Sequence, residues 1–244
     1  MYDYYLGGKD HFAVDREAAE QVLQVAPQTP ALARANRAFL RRAVRHLTSA
    51  GIRQFVDIGA GLPTQGNVHE IAPEARVAYL DHDPSVLSHA RALLATTPNT
   101  LALPGDLRNT VEILKNQELR NFLDFTEPIG LLLVAVLHCL TEEDDPYAQI
   151  AELREAVPSG SHLVISHISA REQVESARQG AAVYRRASTT MTLRDREQIS
   201  RMFDGFELLE PGLADLQDWR PDPDELDLDG RLPGWFLCGV GRKP

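Results

Sequence analysis

The spacing of apolar positions divides the chain into a helical opening, an alternating middle and a mixed close. Over the first 50 residues apolar side chains recur at helical period. Asp15 is placed to cap a helix that carries Ala18, Val22 and Ala26 on one face and stops at Pro27 and Pro30. A longer helix, Ala31 to Ser49, turns Leu32, Leu40, Ala43 and Leu47 inward and ends near Gly51. Asn36 falls on the same stripe. A buried amide must find hydrogen-bond partners, so Asn36 either braces the fold or touches a ligand.

From Gly51 the period changes. Short apolar runs at Gln54–Ile58, Arg76–Leu80, Thr100–Leu103, Ile129–Leu137 and His162–Ile165 read as strands. Between them Asn67–Ile71, Pro84–Ala95, Thr110–Phe122 and Pro146–Ala156 suit helices. Strict alternation of this kind implies parallel strands joined by helical crossovers, an α/β fold. Ile129–Leu137 is apolar on both faces, as a central strand covered on both sides must be. Beyond Ala170, Glu172 to Arg186 is polar and helical in pattern, and Leu193 to Phe203 forms another helix. Two late strands follow, Phe206–Glu210 and Trp235–Val240. The acidic, proline-containing stretch between them, Gln217 to Gly234, is longer than an ordinary connection.

At 244 residues the chain suits one domain. Its expected parts are a helical cap over residues 1–50, a ligand-binding core over 51–170, a helical lid over 171–203, and closing strands with the acidic loop over 204–244. The formal charge of −10, without a run of basic residues, argues against a nucleic-acid partner. Cys139 and Cys238 lie in or beside apolar runs and lack zinc-ligand spacing, which suits buried reduced thiols and a cytoplasmic protein. The polar, glycine-rich start from Tyr2 to Phe12 is unlike a secretory signal. The run Ile129–Leu137 is far short of the roughly 20 residues that cross a bilayer, so no membrane association is expected. His82 sits between Asp81 and Asp83, but adjacent side chains on a strand diverge, and no metal site is expected. The sequence carries no signal of oligomeric state.

The chemistry concentrates at three strand ends. Phe55-Val56-Asp57-Ile58-Gly59-Ala60-Gly61 is an apolar strand that runs into Asp-x-Gly-x-Gly ahead of a helix. Gly59 and Gly61 permit unusual dihedrals and close approach of a ligand to the backbone, and the helix start offers free N–H groups. Asp81, 24 residues after Asp57 at the end of the next strand, is placed to accept from both ribose hydroxyls of an adenosine ligand. Asp83 suits a cap for the helix that Pro84 begins. In Pro104-Gly105-Asp106-Leu107, Asp106 could accept from an adenine amino group, with Leu107 and Leu80 flanking the ring. Together these residues outline one adenosine pocket at the carboxyl edge of a parallel sheet. A dinucleotide site is disfavoured, because a pyrophosphate turn wants Gly-x-Gly-x-x-Gly and position 64 is threonine.

This constellation resembles the class I S-adenosylmethionine-dependent methyltransferases. More closely, the chain is similar to a bacterial S-adenosyl methyltransferase family often filed as a domain of unknown function. The resemblance covers nearly the whole chain. It is carried by Tyr4-Tyr5-Leu6-Gly7-Gly8-Lys9-Asp10, Arg34-Ala35-Asn36-Arg37-Ala38-Phe39-Leu40-Arg41-Arg42, Asp57 through Glu70, Leu132 through His138, and Ser166-His167. It implies a Rossmann-like three-layer sandwich with a mostly parallel, seven-stranded sheet whose last strand is antiparallel. It also implies S-adenosylmethionine as cofactor, and it suggests that the Gly7-Gly8-Lys9-Asp10 segment folds over that cofactor. Two positions depart from the family pattern: His11 stands in place of asparagine, and Thr190 in place of a proline before Met191. Both bear on the substrate side.

Methyl transfer needs alignment of a nucleophile in a site with little water, and a general base only for a protonated acceptor. His138 and His167, after the fourth and fifth strands, are the candidate bases, with His138 preferred. Leu137-His138-Cys139-Leu140 stands where enzymes that methylate nucleobase amino groups often carry Asp/Asn-Pro-Pro-Tyr/Phe, so that chemistry is not signalled. Tyr184 and Arg186, with Arg185, could form a lid that recognises an acidic small-molecule acceptor. The rival expectation is a protein that binds the cofactor without turnover, as a sensor or interaction module.

Overall fold

The computed structural model describes residues 1–63, 66–94, 97–170, 191–222, 230 and 232–244. Its strands are β1 (Gln54–Ile58), β2 (Arg76–Asp81), β3 (Thr100–Pro104), β4 (Gly130–Val134), β5 (His162–Ile168), β6 (Glu207–Leu208), β7 (Ala214–Asp215) and β8 (Phe236–Arg242). They form one sheet in the order β3-β2-β1-β4-β5-β8-β6, with β7 also paired to β8. β1 to β5 run parallel. β8 enters antiparallel to β5, from His162 opposite Arg242 to Ile168 opposite Phe236. The Rossmann-like, mostly parallel sheet and its antiparallel last strand are therefore as expected. The expected seven strands become eight among the described residues, because the two-residue β7 is too short to carry a periodic signal.

Side chains alternate between two cores. Val56, Ile58, Leu131, Leu133, Leu163 and Ile165 enter one cluster, and Phe55, Leu132 and Val164 enter the other. On the first face lie α6 (Thr110–Lys115), α7 (Gln117–Phe122), α8 (Pro146–Ala156) and α9 (Arg196–Arg201), through residues such as Ile113, Leu119, Ile150 and Ile199. On the second lie α3 (Thr29–Ser49), α4 (Val68–Ile71) and α5 (Pro84–Leu94). A third cluster joins α1 (Tyr2–Tyr5) and α2 (Ala13–Val25) to Leu32, Ala33 and Trp235. The N-terminal elements thus pack on the start of α3, beside the carboxyl ends of the strands.

Several expected boundaries move for local reasons. α2 begins at Ala13, and the Asp15 carboxylate accepts the Phe12 N–H at 3.2 Å from the third helical position, so Asp15 is not the cap residue itself. Pro30 sits in the first turn of α3, where a missing N–H costs nothing. The single helix expected over Thr110–Phe122 breaks at Asn116, whose side chain accepts from the N–H groups of Glu118 and Leu119 and starts α7. β4 stops at Val134 because Ala135 adopts φ 56° and the chain turns into a 3-10 helix, Leu137–Cys139. The helix expected over Leu193–Phe203 is confined to α9 behind an Asp195 cap. The helix expected over Glu172–Arg186 lies outside the described residues, as does most of the acidic stretch before Gly230.

The strand order reverses direction at β1 and β4. Such a switch point leaves a crevice at the strands' carboxyl ends, where open α/β sheets bind their ligands.

Candidate active site

Gly59 and Gly61 follow β1 with φ of 75° and 66°, conformations that L side chains rarely adopt. A Cβ on Gly59 would collide with the Val136 side chain across the switch point, whereas one on Gly61 would meet nothing within 4 Å. Gly59 is thus required by packing, and Gly61 by its dihedral and by access. The turn is pinned by the Gly59 N–H, which donates to the Leu80 carbonyl at 2.8 Å. It is pinned again by the Gly61 N–H, which donates to Asp81 Oδ2 at 3.0 Å. Asp81 Oδ1 accepts the Asp83 N–H at 3.0 Å. Asp81 is therefore a brace between two strand ends, and each of its oxygens keeps a further lone pair.

A cavity of about 350 Å³ opens beside this turn. Asp57, Gly59 and Gly61 border it from β1, Val134 and Ala135 from β4, Asn36, Arg37 and Leu40 from α3, and Tyr2 from the N-terminal segment. A narrower pocket next to it is lined by Arg37, Asp57, Gly61, Tyr79, Asp81 and Val86. Asp57 and Asp81 thus share one recess, with Asp57 also facing the larger space. Asp57 is buried, and desolvation raises its pKa to about 7, with Asp81 adding to the rise and Arg37 opposing it.

Asn36 takes the bracing role. Its Nδ2 donates to the Tyr2 hydroxyl at 2.9 Å, and its Oδ1 accepts from Ser166 Oγ at 2.6 Å. Ser166 in turn accepts the Ala135 N–H at 2.9 Å, so a buried chain of polar groups ties α1, α3, β5 and the β4 turn together. Asn36 still lines the cavity. The Gly7-Gly8-Lys9-Asp10 segment is organised around Asp3, whose Oδ2 accepts from the Asp10 N–H at 3.1 Å and contacts His11 Nδ1 at 2.9 Å. Gly8 lies so close to Asp3 that any side chain there would clash with the carboxylate.

Asp106 does not border either space. Its carboxylate is held by Arg108, with Nε at 2.9 and 3.0 Å from the two oxygens, and this pairing draws its pKa down. An arginine two residues along was the sequence signal for that occupation. Leu107 is buried in the core with Leu80 and Ile113.

The two histidines differ sharply. His167 lies inside β5 rather than after it, because the strand continues to Ile168. Its Nδ1 is 2.6 Å from the Ile168 carbonyl, and its Nε2 accepts from Arg194 Nη1 at 3.1 Å. Both nitrogens are therefore engaged. His138 is also buried, and its Nδ1 has no hydrogen-bond partner. Desolvation, aided by Arg194, lowers its pKa to about 4, so the ring is neutral at physiological pH. Its ring stands edge-on to His167 at 5.6 Å between centroids. Tyr184, Arg186 and Thr190 lie outside the described residues. The described residues contain no cluster suited to a metal ion and no helix long and apolar enough to cross a membrane. Cys139 and Cys238 are free thiols.

Asp57 and the histidines impose opposite pH effects. The folded chain keeps Asp57 protonated up to about 7 while the unfolded chain ionises it near 3.8, so Asp57 adds stability as pH falls from 7 toward 4. His138, charged near 6.5 when unfolded but only near 4 when folded, removes stability over the same interval. Asp57→Asn abolishes the compensating uptake. Its thermal midpoint is expected to fall more steeply between pH 7 and 4 than that of wild type, and superimposable profiles would contradict the assigned burial of Asp57.

The sheet order, the glycine turn at the switch point and the acid closing it define a class I methyltransferase fold. The chain matches the S-adenosyl methyltransferase family over residues 1–244 and belongs to it, so its cofactor is S-adenosylmethionine and it is a methyltransferase by family. Two solved structures are similar throughout. A DUF574 family protein from Streptomyces avermitilis is 39% identical with a TM-score of 0.94, covering 100% of this chain and 95% of that one. A Thermobifida fusca protein provisionally described as a methyltransferase is 39% identical with a TM-score of 0.92, covering 99% of this chain and 92% of that one. The N-methyltransferase NodS of Bradyrhizobium japonicum, solved with S-adenosylhomocysteine, shares the fold at 15% identity and a TM-score of 0.51, over 100% of this chain and 96% of that chain. No curated protein matches the chain.

Sequence reasoning passed over Arg37. It lies four residues after Ala33 and three before Leu40, on the inward stripe of α3, where an arginine is conspicuous. The strained Ala135 turn and the Arg194 clamp became visible only in three dimensions.

Proposed function

We propose that this protein, acting as one domain, transfers a methyl group from S-adenosylmethionine to a small-molecule acceptor at the switch-point cavity. The observation that carries this reading is a space of about 350 Å³ bordered jointly by Asp57, the glycine turn and α3. That volume lies in the range of small-ligand sites. When bound, the cofactor supplies an electrophilic methyl group on a sulfonium and leaves as a neutral thioether.

In this reading Asp81 accepts from the ribose hydroxyls through its remaining lone pairs, and Gly59 and Gly61 admit the ligand to the backbone. Asp106, paired with Arg108, and Leu107, packed in the core, are the weaker members of the set. Asn36 holds the cavity wall. His138 takes the proton of an acceptor that arrives protonated; its unpartnered Nδ1 and neutral ring suit that task. His167, locked by Arg194, positions His138 by ring contact. Tyr184 and Arg186 remain candidates for recognising an acidic acceptor. Neither nucleic acid nor membrane has a part in the reading.

The test is transfer of labelled methyl groups from S-adenosylmethionine into the low-molecular-weight fraction of a cell extract. Label is expected in wild type. With the acceptor saturating, His138→Ala should lower kcat by about 10²–10⁴-fold while leaving S-adenosylhomocysteine affinity unchanged. Cofactor binding without transfer to any fraction would favour the sensor reading, and an unaltered His138→Ala rate would remove the base.

A further inference from the structure

Arg37 is a half-buried cation at the cavity wall. It borders both the large cavity and the narrower recess beside Asp81. Its Nε is buried without a hydrogen-bond partner among the described residues, and the guanidinium carbon lies 5.7 Å from the Tyr2 ring. Five residues further along the same helix, Arg42 is buried, yet it donates to the carbonyls of Leu216 at 2.6 Å and Trp219 at 2.9 Å. Leaving guanidinium N–H groups desolvated and unpaired is costly, and a planar fork of donors matches a carboxylate in two-pronged geometry.

The surroundings narrow the choice of anion. Asp57 influences Arg37 electrostatically without pairing with it directly, and its carboxylate accepts no hydrogen bond among the described residues. Asp15 and Asp83 border the same cavity. A phosphate would bring two charges toward Asp83 and toward Asp15, which already pairs with the Met1 ammonium at 3.3 Å. A zwitterion would bring one negative end for Arg37 and a positive end for the acidic wall.

Accepting the cavity as the cofactor site, we propose that Arg37 recognises the α-carboxylate of the ligand's amino-acid tail. It thereby makes the site select nucleosides with an intact tail over tail-less thioether nucleosides. Arg37 is on this account a specificity residue for binding and takes no part in the transfer itself.

Titration calorimetry with S-adenosylhomocysteine and 5′-methylthioadenosine separates this proposal from the reading beneath it. Wild type is expected to bind S-adenosylhomocysteine about 100-fold more tightly than methylthioadenosine. Arg37→Met should lose most of that difference by weakening S-adenosylhomocysteine alone, and Arg37→Lys should recover part of it. If wild type binds neither nucleoside, the cofactor reading fails and takes the proposal with it. If wild type binds both but Arg37→Met keeps the full preference, or weakens both ligands equally, the role of Arg37 is overturned and the cofactor reading stands. Should Arg37→Met not fold, Arg37→Gln and Arg37→Lys decide by the same ratio.

Discussion

Asp81→Ala is expected to raise the dissociation constant for S-adenosylhomocysteine by about 100-fold or more. A carboxylate accepting two ribose hydroxyls contributes about 1.5–3 kcal/mol per charged hydrogen bond, and each 1.4 kcal/mol is tenfold in affinity. The loss has a second source. Asp81 Oδ2 holds the Gly61 N–H and Oδ1 holds the Asp83 N–H, so the alanine variant also releases the glycine turn from β2. Asp81→Asn keeps one oxygen but sets an amide N–H₂ against a backbone donor, and its affinity should fall between the two. Calorimetry on variants with wild-type circular dichroism is the measurement. An unchanged affinity for Asp81→Ala would remove Asp81 from the ribose role, whatever the turn did.

Arg194→Met should destabilise the fold by roughly 3–5 kcal/mol, a large effect for one substitution. Arg194 is fully buried. Nη1 donates to the Leu137 carbonyl and Nη2 to the Leu140 carbonyl, both at 3.1 Å, and Nη1 also reaches His167 Nε2. Methionine fills much of the space but leaves the buried Leu140 carbonyl and an imidazole nitrogen without donors, while the Leu137 carbonyl keeps only the Leu140 N–H. The ion pair with Glu142 adds little, because the Glu142 side chain is 60% exposed. Glu142→Gln should therefore cost less than about 1 kcal/mol. Urea unfolding reads the difference, and in a domain of this size the Arg194 variant should melt on the order of 10 °C lower. A loss below about 1 kcal/mol for Arg194→Met would show that the clamp carries no weight. Its position matters for function, since the Thr192 N–H donates to the His138 carbonyl at 2.7 Å and Arg194 fixes the loop that carries His138.

The pH comparison for Asp57→Asn and the His138→Ala kinetics complete the set and probe the same rim from other sides. Much of that rim was legible in the residue order. The five parallel strands followed from short apolar runs in strict alternation with helical segments, and the placement of Asp57, Gly59, Gly61 and Asp81 followed from strand ends at regular spacing. Asp106 was read from its strand end alone, although the arginine two residues later was there to signal its pairing with Arg108. His167 was placed after its strand because the apolar run ends at Ile165, while pairing with β8 carries the strand to Ile168.

Periodicity by itself determined the fold class, because a residue's preference for one face of a helix or strand is local and survives without neighbours. The sheet order, the unpartnered Nε of Arg37, the Asn36–Ser166 brace and the Arg194 clamp were decided by tertiary structure alone. Each depends on whether a polar group, once stripped of water, meets a partner from a distant segment. That matching is made between distant chain segments, 130 positions apart for Ser166 and Asn36, and no local pattern encodes it.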